Sequence, residues 1–174
     1  MKRNIIFFLL FFFVFSSNKN TLAEINISFV DVDYIYSNSK IGKKIDNKLK
    51  ADKKKLNNEL TGYQKQIQDE KKKLVNQKNV ISEDEFKIQT VKLENKIKKY
   101  NKLVSDNNKS FMKYKKEIKG LFLKELMNIV REYAEVNSIQ LILNKKDIII
   151  GQNTMDISND ILQLVNKKIN DIKL

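Results

Sequence analysis

Cysteine and histidine are both missing from the 174 residues. Without a thiol there is no disulfide, no thiolate metal site and no lipid attachment through cysteine. The missing imidazole removes the commonest general base and, with cysteine, most transition-metal ligand sets. Glycine is scarce, at four residues, and no Gly-Lys-Ser/Thr phosphate loop occurs. Asp31 and Asp33 form an Asp-x-Asp spacing at the end of an apolar run. No third ligand cluster accompanies them, which assigns these carboxylates to turn formation or helix initiation. The expectation is a chain that is not an enzyme and holds no cofactor or metal.

Arginine is nearly absent too: all but two of the 34 basic residues are lysine. The one unbroken apolar run, Ile5 to Phe15, has eleven residues, too few to cross a bilayer as a helix. It follows the basic start Met1-Lys2-Arg3 and precedes Thr21-Leu22-Ala23, a small-residue cleavage pattern. Residues 1–23 therefore read as a secretory signal peptide cut near Ala23, the alternative being an uncleaved anchor. In a double-membrane bacterium the product is periplasmic. Lys2, Arg3 and Lys19 carry three of the formal +13, leaving +10 from Glu24 onward.

What is abundant is seven-residue periodicity. One arm carries Leu49, Leu56 and Tyr63 in one series and Leu60, Ile67, Leu74 and Ile81 in another. A second arm carries Phe86, Leu93 and Tyr100, then Tyr114 and Leu121 beyond Asn107, beside Ile97, Val104, Phe111 and Ile118. Two apolar seams at this spacing keep a narrow stripe turned toward a partner helix. The fold class expected is α+β: residues 43–119 form a long antiparallel coiled-coil hairpin projecting from a small β-body, 24–42 with 120–174. The bend is placed between Asn79 and Ser82, since Ser82-Glu83-Asp84-Glu85 is a capping-box pattern. Ser37, Asn38 and Ser39 offer caps for the first arm.

Strands are expected at Ile25 to Val32, Ile139 to Leu143 and Ile148 to Ile150, the last two joined as a hairpin by Asn144 to Asp147. Ser158 is expected to cap a terminal helix bearing Ile161, Leu162, Val165 and Ile169. Three short strands leave sticky apolar edges, which makes the body an oligomerisation module.

Between Lys43 and Lys119 stand 23 lysines and 11 acidic residues. The blocks Lys53-Lys54-Lys55, Lys71-Lys72-Lys73 and Lys98-Lys99 suit nucleic acid, anionic lipid or an acidic protein, or equally a solvated coiled-coil face in an A/T-rich coding sequence.

Two local patterns and the order of elements resemble the Skp/OmpH family of periplasmic chaperones. The first runs from Ile27-Ser28-Phe29-Val30-Asp31-Val32-Asp33 to Ser39-Lys40-Ile41-Gly42-Lys43; the second from Leu141-Ile142-Leu143-Asn144-Lys145 through Ile148-Ile149-Ile150 to Met155-Asp156-Ile157-Ser158. Asn144 stands where the family often has Asp. The resemblance implies a homotrimer whose three hairpins enclose unfolded outer-membrane proteins without using ATP. Ile27, Phe29, Leu141, Leu143, Ile148 and Ile150 are then the expected oligomer interface. The expected client-binding residues are Lys53, Lys54, Lys55, Lys71, Lys72, Lys73, Lys98 and Lys99 with the off-seam Val75, Val80, Ile88 and Met112. The competing reading is a secreted structural coiled coil that binds anionic envelope components such as lipopolysaccharide. A signal peptide argues against a nucleic-acid partner.

Overall fold

The computed structural model describes residues 25–172, so the signal-peptide assignment and its cleavage near Ala23 lie outside the described residues. The order is β1 (Ile27–Val30), α1 (Val32–Asn38), α2 (Lys40–Gln77), α3 (Glu83–Val136), β2 (Leu141–Asn144), two short 3₁₀ turns, and α4 (Ser158–Lys168). At 1.5 Å per residue the 38-residue α2 is about 57 Å long. The two long helices form the expected hairpin.

Local chemistry sets the corners. Asp31 caps α1, accepting from the Tyr34 N–H at 2.8 Å, the helix-initiating role expected of it. Ser39 caps α2 by accepting from the Gly42 N–H at 3.0 Å, and its hydroxyl donates to the Tyr36 carbonyl. Across the bend Ser82 accepts from the Glu85 N–H at 3.2 Å, and three acids in the first turn of α3 match the positive end of its dipole. At the other end of α3, Ser138 takes a positive φ of 53°. The Ile139 N–H then donates to the Ala134 carbonyl and the Ser138 N–H to the Glu135 carbonyl. That Schellman closure turns the chain sharply back toward β1.

The body differs from the expected antiparallel strands. β1 pairs with β2 in parallel, Ile27 opposite Leu141 and Phe29 opposite Leu143. Ile148 to Ile150 is not a strand, and the Asn144 to Asp147 hairpin does not form. The Asn144 side chain accepts from the Lys146 N–H and rolls residues 145–147 into a 3₁₀ turn. Parallel pairing follows from the hairpin itself: one helix leads outward, the next returns, and β2 therefore leaves the base in the direction of β1. On its other side β1 meets Asp156 in an isolated bridge, and the Ile157 N–H donates to the Phe29 carbonyl at 3.0 Å. The expected strand Ile25 to Val32 shrinks to four residues, because Asp31 already begins α1.

Ser158 is not the cap expected. Its own N–H and hydroxyl donate to Asp156, while its oxygen accepts from the Asp31 N–H at 2.8 Å, tying the start of α1 to the start of α4. Around this junction lies one core: Ile35, Ile41, Ile45, Leu49, Ile118, Phe122, Leu126, Ile129, Ile161 and Val165 are all buried. Tyr36 meets Phe122 edge to face, with centroids 5.1 Å apart. The roots of both arms are thus part of the core, so the hairpin leaves the body from a fixed base.

Candidate functional site in the projecting arms

Beyond the base, the seam holds as one stripe. Leu60 and Leu74 of α2 are buried, Leu56 and Ile67 half-buried, and from α3 every member from Phe86 through Leu93, Ile97, Tyr100, Val104, Phe111 and Tyr114 is half-buried until Ile118 closes the base. Tyr63 and Leu121 depart from the expectation, both being exposed. For Leu121 the reason is the core: Ile118, Phe122 and Leu126 recur every fourth residue there, so the buried stripe drifts away from the seven-residue position. Asn107 sits half-buried in line with the seam.

Polar groups pin the arms together. Lys96 is paired with Glu70 across the seam, and the Tyr114 hydroxyl donates to Asp52 at 3.3 Å. The Lys53 ammonium donates to the Asn108 side chain at 2.8 Å and lies 5.2 Å from the Phe111 ring centroid. Near the bend a cleft of about 350 Å³ is lined by Glu70, Lys73, Leu74, Gln77, Gln89, Lys92, Leu93 and Lys96. Asp52 holds the Lys48 ammonium above its ordinary range, and a hydrogen bond from Lys102 draws the Asp106 carboxyl below its own. Burial, with a hydrogen bond to Asp46, raises the Tyr36 phenol.

The sequence-derived site residues fall in different places. Lys53 belongs to the seam. Lys54, Lys55, Lys71, Lys72, Lys73, Lys98 and Lys99 are exposed, as are Val75, Val80, Ile88 and Met112. Three consecutive residues on a helix spread over about 200°, so a Lys-Lys-Lys block does not make one patch but a fan. Val91 and Leu103, also exposed on the arms, were not singled out by the sequence. Their signal was there: each is an apolar residue off the seam in α3.

In the body, Leu141, Leu143 and Ile150 are exposed, and Ile27 and Ile148 half-buried. Phe29 is only 5% exposed. Its ring lies where a side chain at Gly151 would come within 2.7 Å, and Lys145 stands over its face at 5.9 Å. Ile149 and Ile150, 98% and 91% exposed, point away from the body. On the outer side of α3, Leu123 and Met127 are exposed one turn apart. The outer edge of β2 has no strand partner among the described residues. No group of three or more His, Cys, Asp or Glu that could hold a metal ion occurs among them, and none of their helices is long and apolar enough to cross a membrane.

The model of the OmpH-like outer membrane protein family matches residues 26–165. The crystal structure of a candidate outer membrane chaperone (OmpH-like) from Caulobacter crescentus shares the fold with a TM-score of 0.81, at 19% identity, over 86% of this chain and 88% of that one. No curated protein sequence matches the chain.

Proposed function

Because the chain belongs to the OmpH-like outer membrane protein family, we propose that it is an ATP-independent periplasmic holdase that keeps unfolded outer-membrane proteins from aggregating between its arms. The observation that carries this reading is the pair of long helices whose seam uses up their regular apolar positions, leaving lysines and scattered apolar side chains exposed along the arms. An unfolded β-barrel chain exposes alternating apolar residues and unpaired backbone. Many weak contacts on arms fixed at one end hold such a chain at high local concentration without imposing one geometry. Lysine suits the task, with an aliphatic stem for apolar client surface and a charged tip for water.

The working form in this reading is a homotrimer joined at the bodies. What supports that is the open edge of β2 and the exposed Leu141, Leu143, Ile149 and Ile150, with Leu123 and Met127 also exposed on α3. Phe29 supports the interface from behind, since its ring is already occupied within the chain.

Light scattering tests the activity. An outer-membrane β-barrel protein diluted out of urea should stay clear at a stoichiometric concentration of trimer and turn cloudy without it, with ATP making no difference. Unchanged scattering in the presence of the protein would end the holdase reading.

A further inference from the structure

The two broad faces of the hairpin carry different charge. Glu70 contacts Lys96, and Asp52 contacts Tyr114; in both pairs the residue numbers add to 166. This sum is the register of the arms. In antiparallel helices of seven-residue period, it places residues flanking the seam on one face or the other. The first face is the one containing Glu70 and Lys96. It also carries Asp52, Glu59, Asp69, Glu85, Asp106 and Glu117, matched by Lys48, Lys55, Lys73, Lys92, Lys99 and Lys113, so that seven charges of each sign cancel. Four of these acids are ion-paired: Asp52 with Lys48, Glu70 with Lys96, Asp106 with Lys102, and Glu117 with Lys113.

On the opposite face α2 contributes Lys50, Lys54, Lys71 and Lys78, and α3 contributes Lys87, Lys98, Lys115 and Lys119. Against these eight lysines stands one acid, Glu94. None of the eight has an ion-pair partner among the described residues, whose salt bridges involve other lysines. Val75 and Val91 add to 166 and so lie level with each other on this face, as Met112 does with Lys54; all three apolar residues are exposed. A row of unpaired like charges repels itself, and an anionic partner relieves that repulsion, whereas the first face has already neutralised itself. Single exposed charges act over only about 8 Å at physiological salt; a row of them beside apolar side chains recognises a chain that carries both features.

We propose that the face bearing Lys54, Lys71, Lys87, Lys98, Val75 and Val91 is the client-contacting surface, and that it takes extended polypeptide segments rich in apolar side chains with net negative charge. This rests on the holdase reading for its biological role, and the compensated face is turned away from the client. The lysine blocks are thereby divided. Lys71 and Lys98 touch the client, Lys73 and Lys99 lie on the compensated face, and Lys53 serves the seam.

Two full-chain variants with equal loss of charge test it. One carries Lys54→Gln, Lys71→Gln, Lys87→Gln and Lys98→Gln; the other carries Lys73→Gln, Lys92→Gln, Lys99→Gln and Lys113→Gln. Glutamine keeps length and helix propensity, so helicity by circular dichroism should match the parent in both. The probe is a fluorescent twenty-residue peptide of Glu, Ser, Val and Leu, unstructured alone, followed by anisotropy beside a Lys-for-Glu version and vesicles containing anionic phospholipid. The expected result is at least a tenfold loss of affinity for the acidic peptide in the first variant, less than twofold in the second, and no binding of the basic peptide by the parent. Equal losses, or a larger loss in the second variant, overturn the face assignment while suppression of aggregation by the parent keeps the holdase reading. Vesicle binding without peptide binding overturns the assigned partner. Peptide binding that follows the expected pattern, in a parent that does not suppress aggregation, sustains the surface and removes the holdase role.

Discussion

Gly42 lies in the first turn of α2, where a Cβ would come within 1.8 Å of the Tyr36 carbonyl oxygen at the α1 to α2 corner. Backbone oxygen cannot rotate aside, so the two helices would have to separate around the Tyr36 and Phe122 contact. Gly42→Ala should therefore cost about 3 kcal/mol, at the upper end for overpacking, seen as a lower urea midpoint with unchanged slope. A midpoint equal to the parent's would show that the corner is looser than this. Asp156 is the second residue with a defined consequence. Burial pushes its carboxyl up, but hydrogen bonds from Lys145 and Ser158 outweigh it and hold the group below 3.8. Lys145 is raised above 10.5 chiefly by its hydrogen bond to Asp156. A depressed acid stabilises the fold above its unfolded pKa and loses that contribution as pH falls through its folded one; a raised lysine stabilises below its unfolded pKa and loses it as pH climbs through the folded one. The pair should thus contribute most between about pH 4 and 10. Parent stability should fall more steeply below pH 4 than that of Asp156→Asn, and superimposable pH profiles would refute this.

At the scale of elements, the register of the arms determines where they can be cut. Residues whose numbers add to 166 lie opposite each other, so removing 61 to 105 and inserting a short turn keeps Leu60 and Asp106 level and leaves Leu49, Ile118 and Phe122 in the core. The shortened chain should lose helix in proportion to the residues removed and keep a cooperative thermal transition, because the buried cluster lies below the cut. It should also lose all protection of an unfolded outer-membrane protein in light scattering. Full protection by the shortened chain would place the working surface in the body. The distal arms are held by a thinner seam than the base, mostly of half-buried side chains, with Tyr63 exposed and the Glu70 and Lys96 pair beside it. Exposed pairs of this kind contribute about 0 to 1 kcal/mol, so hydrogen exchange should be fastest near the bend and slowest from Ile118 to Val130.

At the scale of the whole molecule β2 presents, among the described residues, an open strand edge, and in the proposed face assignment the uncompensated lysines lie along one side of the arms. Open edges bearing exposed leucine and isoleucine attract another chain, and a closed ring of copies is the arrangement that covers every such edge. Sedimentation velocity at micromolar concentration should give a trimer, and Leu143→Asp should shift it toward monomer while far-ultraviolet circular dichroism stays helical. Leu143 is exposed in the single chain, so the substitution need not disturb its core. A parent that sediments as a monomer would remove the assembled form from the proposed function. Electrostatic capture at a distance also belongs to this scale: raising salt should slow association with an acidic client much more than it speeds dissociation.

The sequence by itself determined the hairpin, its bend and most of its caps. These are local: seven-residue spacing turns Leu60, Ile67 and Leu74 to one side, and Ser39 and Ser82 bond to N–H groups three residues away. It also marked Val75, Val80, Ile88 and Met112 as apolar residues off the seam, and all four are exposed. What tertiary structure decided depends on residues more than a hundred positions apart. β1 pairs with β2 in parallel because two long helices bring the chain back to its starting point, and Phe29 becomes buried because Gly151 leaves room for its ring. Ser158 gives up the expected cap to hold Asp31, a partner no local spacing announces. The grouping of lysines was hidden because it depends on how two helices pair. Neighbours in sequence fan out around a helix, and only the register between α2 and α3 brings Lys54, Lys71, Lys87 and Lys98 onto one face.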